Sequence, residues 1–157
     1  MSKDNTLILK IWLYGGEYIA TSLIYLFLFL VFYPSDISSF IVKASGHIFS
    51  KFTYLMLGVS IGFYWTFYKQ SESDFSKWLY EKNAHGTYSS VFLTTIAIYF
   101  STLVLVSITD LSKNNYIAFL TGWFIILASI NVFTFFHNIK KLLELMVFFN
   151  SKVNKNG

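Results

Sequence analysis

The hydrophobic positions of this chain form four long runs, separated by shorter polar segments. A transmembrane helix needs about 20 mostly apolar residues, each rising about 1.5 Å. The pattern predicts four membrane spans, at about residues 11–33, 52–68, 89–108 and 116–136, followed by a cytoplasmic tail at 137–157. The chain is therefore expected to be an all-α integral membrane protein with a single transmembrane domain.

The first outer loop also has a helical pattern. The sequence ISSFIVKASGHIFSKF at 37–52 places apolar residues at near-helical spacing, which predicts a short helix in the outer interface. The sequence after the fourth span, IKKLLELMVFFNSKV at 139–153, stays apolar for three further turns. This segment either prolongs the fourth helix into the cytoplasm or bends along the inner leaflet.

The inner loop between the second and third spans contains another short helix. The sequence SESD at 71–74 is typical of a helix start, and it puts Phe75, Trp78 and Leu79 on one face. This face predicts an interfacial connector or, alternatively, a docking surface for a cytoplasmic protein partner.

Composition supports the membrane class and excludes several functions. The chain is 55% hydrophobic and 13% charged, whereas a soluble domain carries about 25% charged residues. All twelve positive charges are Lys, and the absence of Arg argues against direct nucleic-acid readout. There is no Cys, which excludes disulfides and thiolate metal sites.

The lysines predict the orientation of the spans. Nine of the twelve fall on the side that holds both termini and the second loop: Lys3, Lys10, Lys69, Lys77, Lys82, Lys140, Lys141, Lys152 and Lys155. By the positive-inside rule, both termini are expected in the cytoplasm. Abundant Lys, Phe, Tyr and Asn without Arg suit a low-GC bacterium or mobile element. The expected location is the bacterial inner membrane, as a multi-pass protein.

No pattern of catalytic residues is present in the sequence. His47, His85 and His137 lie in three separate segments, without paired carboxylates or a Gly-rich phosphate loop nearby. The expectation is a protein that is not an enzyme and that uses no cofactor and no metal.

Glu17 is the only residue inside the first span that is charged at neutral pH, and it follows a pair of glycines. It lies six residues inside the span, roughly 9 Å below the inner surface. Asn131 in the fourth span lies at nearly the same depth. Glu17 is expected either to face the bundle and meet Asn131 or to snorkel in an aromatic belt with Trp12, Tyr14 and Tyr18.

Small residues mark surfaces on the second and third spans. Gly58 and Gly62 form a GxxxG motif, and the third span carries a stripe of small and hydroxyl-bearing side chains: Thr87, Ser90, Thr94, Ala97, Ser101 and Val104. Such stripes predict close helix packing or, alternatively, pore lining. Four spans of this length enclose little room for an aqueous path, so we expect a homo-oligomer.

The order of these segments resembles the small four-span phage-exclusion membrane proteins of the lambda RexB type. The similarity includes a glycine-then-hydroxyl entry into the third span, GTYSSV at 86–91, and a short cytoplasmic tail. KwaA of the Kiwa defence system is similar in size and span count. The inner loop here is mixed in charge, whereas that of RexB is basic.

This resemblance implies an anti-phage, abortive-infection-like membrane effector or sensor that a cytoplasmic partner controls. Its action would be ion conduction or membrane perturbation by an oligomer in the lipid bilayer. The alternatives are a membrane anchor or accessory subunit of a larger complex without its own conductance, or a holin.

Overall fold

The computed structural model describes residues 3–156, and the side chains of residues 15–153. Every regular element in that range is helical, which confirms the predicted all-α class. In chain order the helices are α1 (Lys3–Val31), α2 (Pro34–Ala44), α3 (Ser50–Lys69), α4 (Asp74–Glu81), α5 (His85–Ser112) and α6 (Asn115–Asn156). The side chains of Trp12 and Tyr14, two members of the predicted aromatic belt, lie outside the described residues.

The longest helix, α6, lies at the centre of the bundle. It packs against α1, α2 and α5, and α3 packs against α5. A tight hairpin joins α5 to α6: Lys113 has a left-handed φ of 51°, and the Asn114 side chain accepts a hydrogen bond from the Tyr116 amide at 2.8 Å. These two residues end one helix and start the next, so α5 and α6 run antiparallel.

The main core is an aromatic cluster where α3, α5 and α6 meet. Phe92 of α5 is completely buried. Its ring centroid lies 5.2 Å from that of Phe63, 5.5 Å from that of Phe67 and 6.1 Å from that of Phe135. Nearby, the Tyr99 hydroxyl donates to the Ala128 carbonyl at 3.3 Å. Edge-to-face aromatic packing of this kind holds the three helices in register.

Length and apolar composition identify the candidate membrane crossings. The helices α5 and α6 each qualify, whereas Gly15–Val31 and Pro34–Lys69 qualify only as a pair, bent by 118° at the break between them. The described residues therefore offer two crossings, or three with the bent pair, where the sequence predicted four. The helix α3 does not qualify by itself because of its composition. Its mean hydropathy is lowered by four Tyr and Trp residues, namely Tyr54, Tyr64, Trp65 and Tyr68.

The helix predicted in the outer interface differs in position from the expectation. It begins at Pro34 and continues through a π-helical turn, Ser45–Phe49, into α3. Part of its apolar face packs against the other helices, because Ile41 is buried in a second core cluster with Val106, Ala118 and Ile125. Helix α2 is thus part of the bundle.

The segment after the predicted fourth span prolongs the fourth helix. The helix α6 has 42 residues and continues from Asn115 to Asn156. The helix predicted in the inner loop is present as α4, and the Ser73 hydroxyl caps it by accepting from the Ser76 amide at 3.2 Å. Of the two expectations for residues 139–153, the structure therefore has the continuation of the fourth helix.

Candidate functional site

Three hydrogen bonds fix α1 against α6. The Tyr25 hydroxyl donates to the Phe119 carbonyl at 2.6 Å, and the Trp123 indole donates to the Ser22 hydroxyl at 3.3 Å. Two turns further along, the Asn131 amide donates to the Glu17 carboxylate at 2.9 Å. The two helices therefore run antiparallel, with a register that polar groups specify.

The structure brings Glu17 and Asn131 together. Asn131 is 4% exposed, and Glu17 is half-buried. A carboxylate only accepts hydrogen bonds, so the amide must turn its nitrogen toward Glu17. The Asn131 Oδ1 is then buried without a hydrogen-bond donor among the described groups. Asn131 thus makes a charge-assisted hydrogen bond through its nitrogen and has an unpaired acceptor in its oxygen. A hydrogen-bond donor in the space beside the pair would stabilise it.

That space is a small polar cleft of about 70 Å³. Its walls come from α1, α5 and α6: Glu17, Tyr18, Ser90, Val91, Thr94, Thr95, Asn131 and Asn138. Ser90 and Thr94 are exposed on the bundle surface. The cleft therefore joins both predicted intramembrane polar residues to two members of the predicted stripe.

The predicted stripe does not pack against another helix of the same chain along most of its length. Ser90, Thr94 and Ala97 are exposed, and Ser101 is half-buried. Most of the stripe is therefore on the outer surface of the protomer, and its Ser90 and Thr94 side chains also line the polar cleft.

The packing face of α5 is a second stripe, which sequence reasoning missed. Thr95, Thr102 and Thr109 are all buried, and the Thr109 and Thr121 hydroxyls share a hydrogen bond at 2.7 Å. The Thr102 hydroxyl donates to the Ile98 carbonyl at 2.7 Å, as expected for a hydroxyl inside an apolar helix interface. The spacing of seven residues between these threonines was the signal in the sequence.

The glycines of the GxxxG motif are also on the outer surface. A Cβ atom on Gly58 or Gly62 would meet nothing within 4 Å. The close approach inside the protomer is at Gly122, where a Cβ would lie 2.5 Å from Ile41 Cδ1 and 3.0 Å from the Tyr25 hydroxyl. The absence of a side chain at Gly122 therefore lets Ile41 of α2 and Tyr25 of α1 pack closely against α6.

The residues proposed for partner docking contact α6 of the same chain. Phe75 and Leu79 are buried, and the half-buried Trp78 has its ring centroid 5.7 Å from that of Phe149. Phe75 packs against the same ring at 5.8 Å. The apolar face of α4 is thus occupied by α6, which corrects the expectation that it is available to a partner.

None of the three histidines lines the polar cleft. The His85 ring stacks between Tyr80 at 3.9 Å and Phe67 at 4.9 Å, and so connects α3, α4 and α5. Within residues 15–153, no group of three or more His, Cys, Asp or Glu side chains is placed to hold a metal ion.

No family model, curated protein or solved structure matches this chain. The resemblance to the phage-exclusion proteins therefore rests on the order of segments and the GTYSSV motif. The polar cleft is the feature from which a function can be argued.

Proposed function

We propose that this protein is an integral membrane effector or sensor of an anti-phage system, and that it conducts ions or perturbs the membrane as a homo-oligomer controlled by a cytoplasmic partner. The observation that carries the proposal is the polar cleft on the bundle surface. It combines the Glu17 carboxylate, the buried Asn131 amide and the exposed hydroxyls of Ser90 and Thr94.

The depth of the cleft supports this function. Asn131 lies sixteen residues from the hairpin end of α6 at Asn115, about 24 Å along the helix. With the hairpin at one edge of a hydrocarbon core about 30 Å thick, as the predicted span at 116–136 implies, the cleft is inside that core, nearer the surface opposite the hairpin. Polar groups at that depth must face protein or water. A second copy of the chain, with water between the two clefts, supplies both.

Purified protein in liposomes tests conduction directly. We expect ion flux from the protein alone, rising more steeply than linearly with its density because the path requires several copies. The contradicting result is the absence of ion flux at every protein density in vesicles where the protein is shown to be correctly inserted. That result would exclude conduction and leave the anchor function.

The anchor function is the second candidate, and one observation favours it. The part of α6 beyond residue 138 exposes apolar side chains, namely Leu143, Val147, Phe148 and Val153. Because α4 covers only part of this extension, a partner protein has an apolar surface available there. An anchor would bind through this surface without any flux in liposomes.

The proposed topology has four crossings with both termini in the cytoplasm, and single cysteines test it because the chain has none. Cysteines at Ser39 and Asn114 should react with an impermeant reagent from outside, and those at Lys77 and Ser151 should not. All four positions are exposed, whereas Ser76 is buried and would be silent on either side. Outside labelling at Lys77 would reverse the orientation.

Self-association can be tested at surface glycines without disturbing the protomer. Because a Cβ on Gly58 meets nothing within 4 Å, Gly58→Leu leaves the fold intact and blocks only a contact with another copy. We expect it to lower the mass of the detergent-solubilised particle toward that of one 18.2 kDa chain. Gly86→Leu, at another open glycine outside the motif, is the matched control. A wild-type particle that is monomeric at every concentration would contradict self-association.

A further inference from the structure

A second cleft lies on the hairpin side of the bundle, between α1, α2 and α6, and has a volume of about 450 Å³. Its walls are aliphatic and aromatic, apart from one carboxylate: they include Leu28, Phe32, Asp36, Ile37, Phe40 and Ile126. The Tyr25 hydroxyl, which also borders the cleft, is already bonded to the Phe119 carbonyl. The interior therefore offers no free polar group, and its occupant must be hydrocarbon along most of its length.

The depth of this cleft matches one leaflet of a bilayer. Its deepest contact on α6 is Ile126, eleven residues from Asn115, or about 17 Å along the helix. Half of a hydrocarbon core of about 30 Å is about 15 Å. An acyl chain of a lipid in that leaflet has the length and chemistry to lie along the cleft.

The bend after α1 is what creates the cleft. The chain turns by 118° between Val31 and Pro34, so α2 leans away from α1 and leaves a gap. Gly122 forms part of the floor, because its lack of a side chain lets Ile41 approach α6. The gap is thus built into the fold and is bordered by three helices.

Asp36 is the one charged residue that lines this cleft, and its charge favours one class of lipid headgroup. It lies in the first turn of α2, is exposed, and lines the same cleft. It forms no ion pair within residues 15–153. At the membrane surface a carboxylate attracts an ammonium group and repels a phosphate that lacks one.

We propose that this cleft binds one phospholipid with an ammonium-bearing headgroup, with an acyl chain between α1, α2 and α6 and its ammonium group on Asp36. The site is separate from the polar cleft at Glu17, and it does not depend on whether the protein conducts.

Thermal unfolding of the full chain in detergent tests the proposal. The probes are phosphatidylethanolamine and phosphatidylglycerol with identical chains. Phosphatidylethanolamine should raise the Tm by about 8 °C at about 100 times its dissociation constant, and phosphatidylglycerol by less than half as much. In Asp36→Asn the two lipids should act equally, while Asp74→Asn, at another exposed carboxylate, should keep the difference.

A second variant tests the acyl-chain site itself. Leu28→Trp fills the cleft and should abolish the response to both lipids. Leu26→Trp adds the same bulk to an exposed position of α1 outside the cleft and should respond as wild type. Equal responses of wild type to both lipids, a preference that survives in Asp36→Asn, or a full response in Leu28→Trp would each overturn the proposal.

Discussion

Replacing Glu17 by Gln is expected to reduce ion flux, and depolarisation of cells that express the protein, by more than about tenfold. The substitution keeps the shape of the side chain and an acceptor for the Asn131 amide, which lies 2.9 Å away. Only the charge is lost. The interaction energy of a carboxylate with a monovalent cation 4 Å away is about 4 kcal/mol at an effective dielectric constant of 20. Without the charge on Glu17, a cation is therefore no longer held in the polar cleft.

The flux assay compares variants at matched membrane levels. Glu81→Gln removes an exposed carboxylate of the inner loop and should conduct as wild type. If wild type, Glu17→Gln and Glu17→Leu all depolarise equally, Glu17 belongs to the interfacial aromatic belt and has no part in the mechanism.

The structural contribution of the pair can be separated from its charge. Glu17→Leu leaves the buried Asn131 amide without its acceptor, at a cost of about 1–3 kcal/mol. Adding Asn131→Leu removes the stranded amide, so the double variant should recover most of the lost Tm. Flux should stay low in both. Additive losses of stability would mean that the two residues do not interact in the membrane.

Phe92→Ala should produce the largest loss of stability, lowering the Tm by roughly 10 °C. Phe92 is completely buried between α3 and α6. Lipid is as apolar as the core, so the cost comes from the cavity and the lost aromatic contacts, at about 3 kcal/mol. Thermal unfolding in detergent measures it.

Phe100→Ala is the matched control, because this residue is exposed on the same helix. Its Tm should change by less than about 2 °C, since a surface substitution leaves no cavity. Similar losses in the two variants would place the stabilising contacts elsewhere in the bundle.

Position along the helix axes could be predicted from the sequence, because every helical residue advances by a constant rise. That count put Glu17 and Asn131 at one level, where the structure joins them by a hydrogen bond. Which face of a helix points inward could not be predicted in the same way. The helix α5 carries two polar stripes at helical spacing, and the buried one is that of Thr95, Thr102 and Thr109.

The placement of the short helices depended on tertiary contacts that the sequence does not reveal. An apolar face looks the same whether it meets lipid, a partner or its own chain. For α4 it meets Phe149 of α6, and for α2 it meets the surface that Gly122 opens. The pairing of Glu17 with Asn131 could be predicted because it depends on position along the helices. The buried faces of the helices could not be predicted because they depend on packing.

The uninterrupted course of α6 has a mechanical consequence. Asn131 and Phe149 lie on one helix without a joint between them, about 27 Å apart along its axis. A tilt of about 10° about Asn131 would therefore swing Phe149, with the helix α4 that packs on it, by about 5 Å. The part of α6 beyond Asn131 would move as one piece with the part that contacts Glu17. Binding of a protein at Phe149 would therefore act on the same helix that holds the Glu17–Asn131 hydrogen bond.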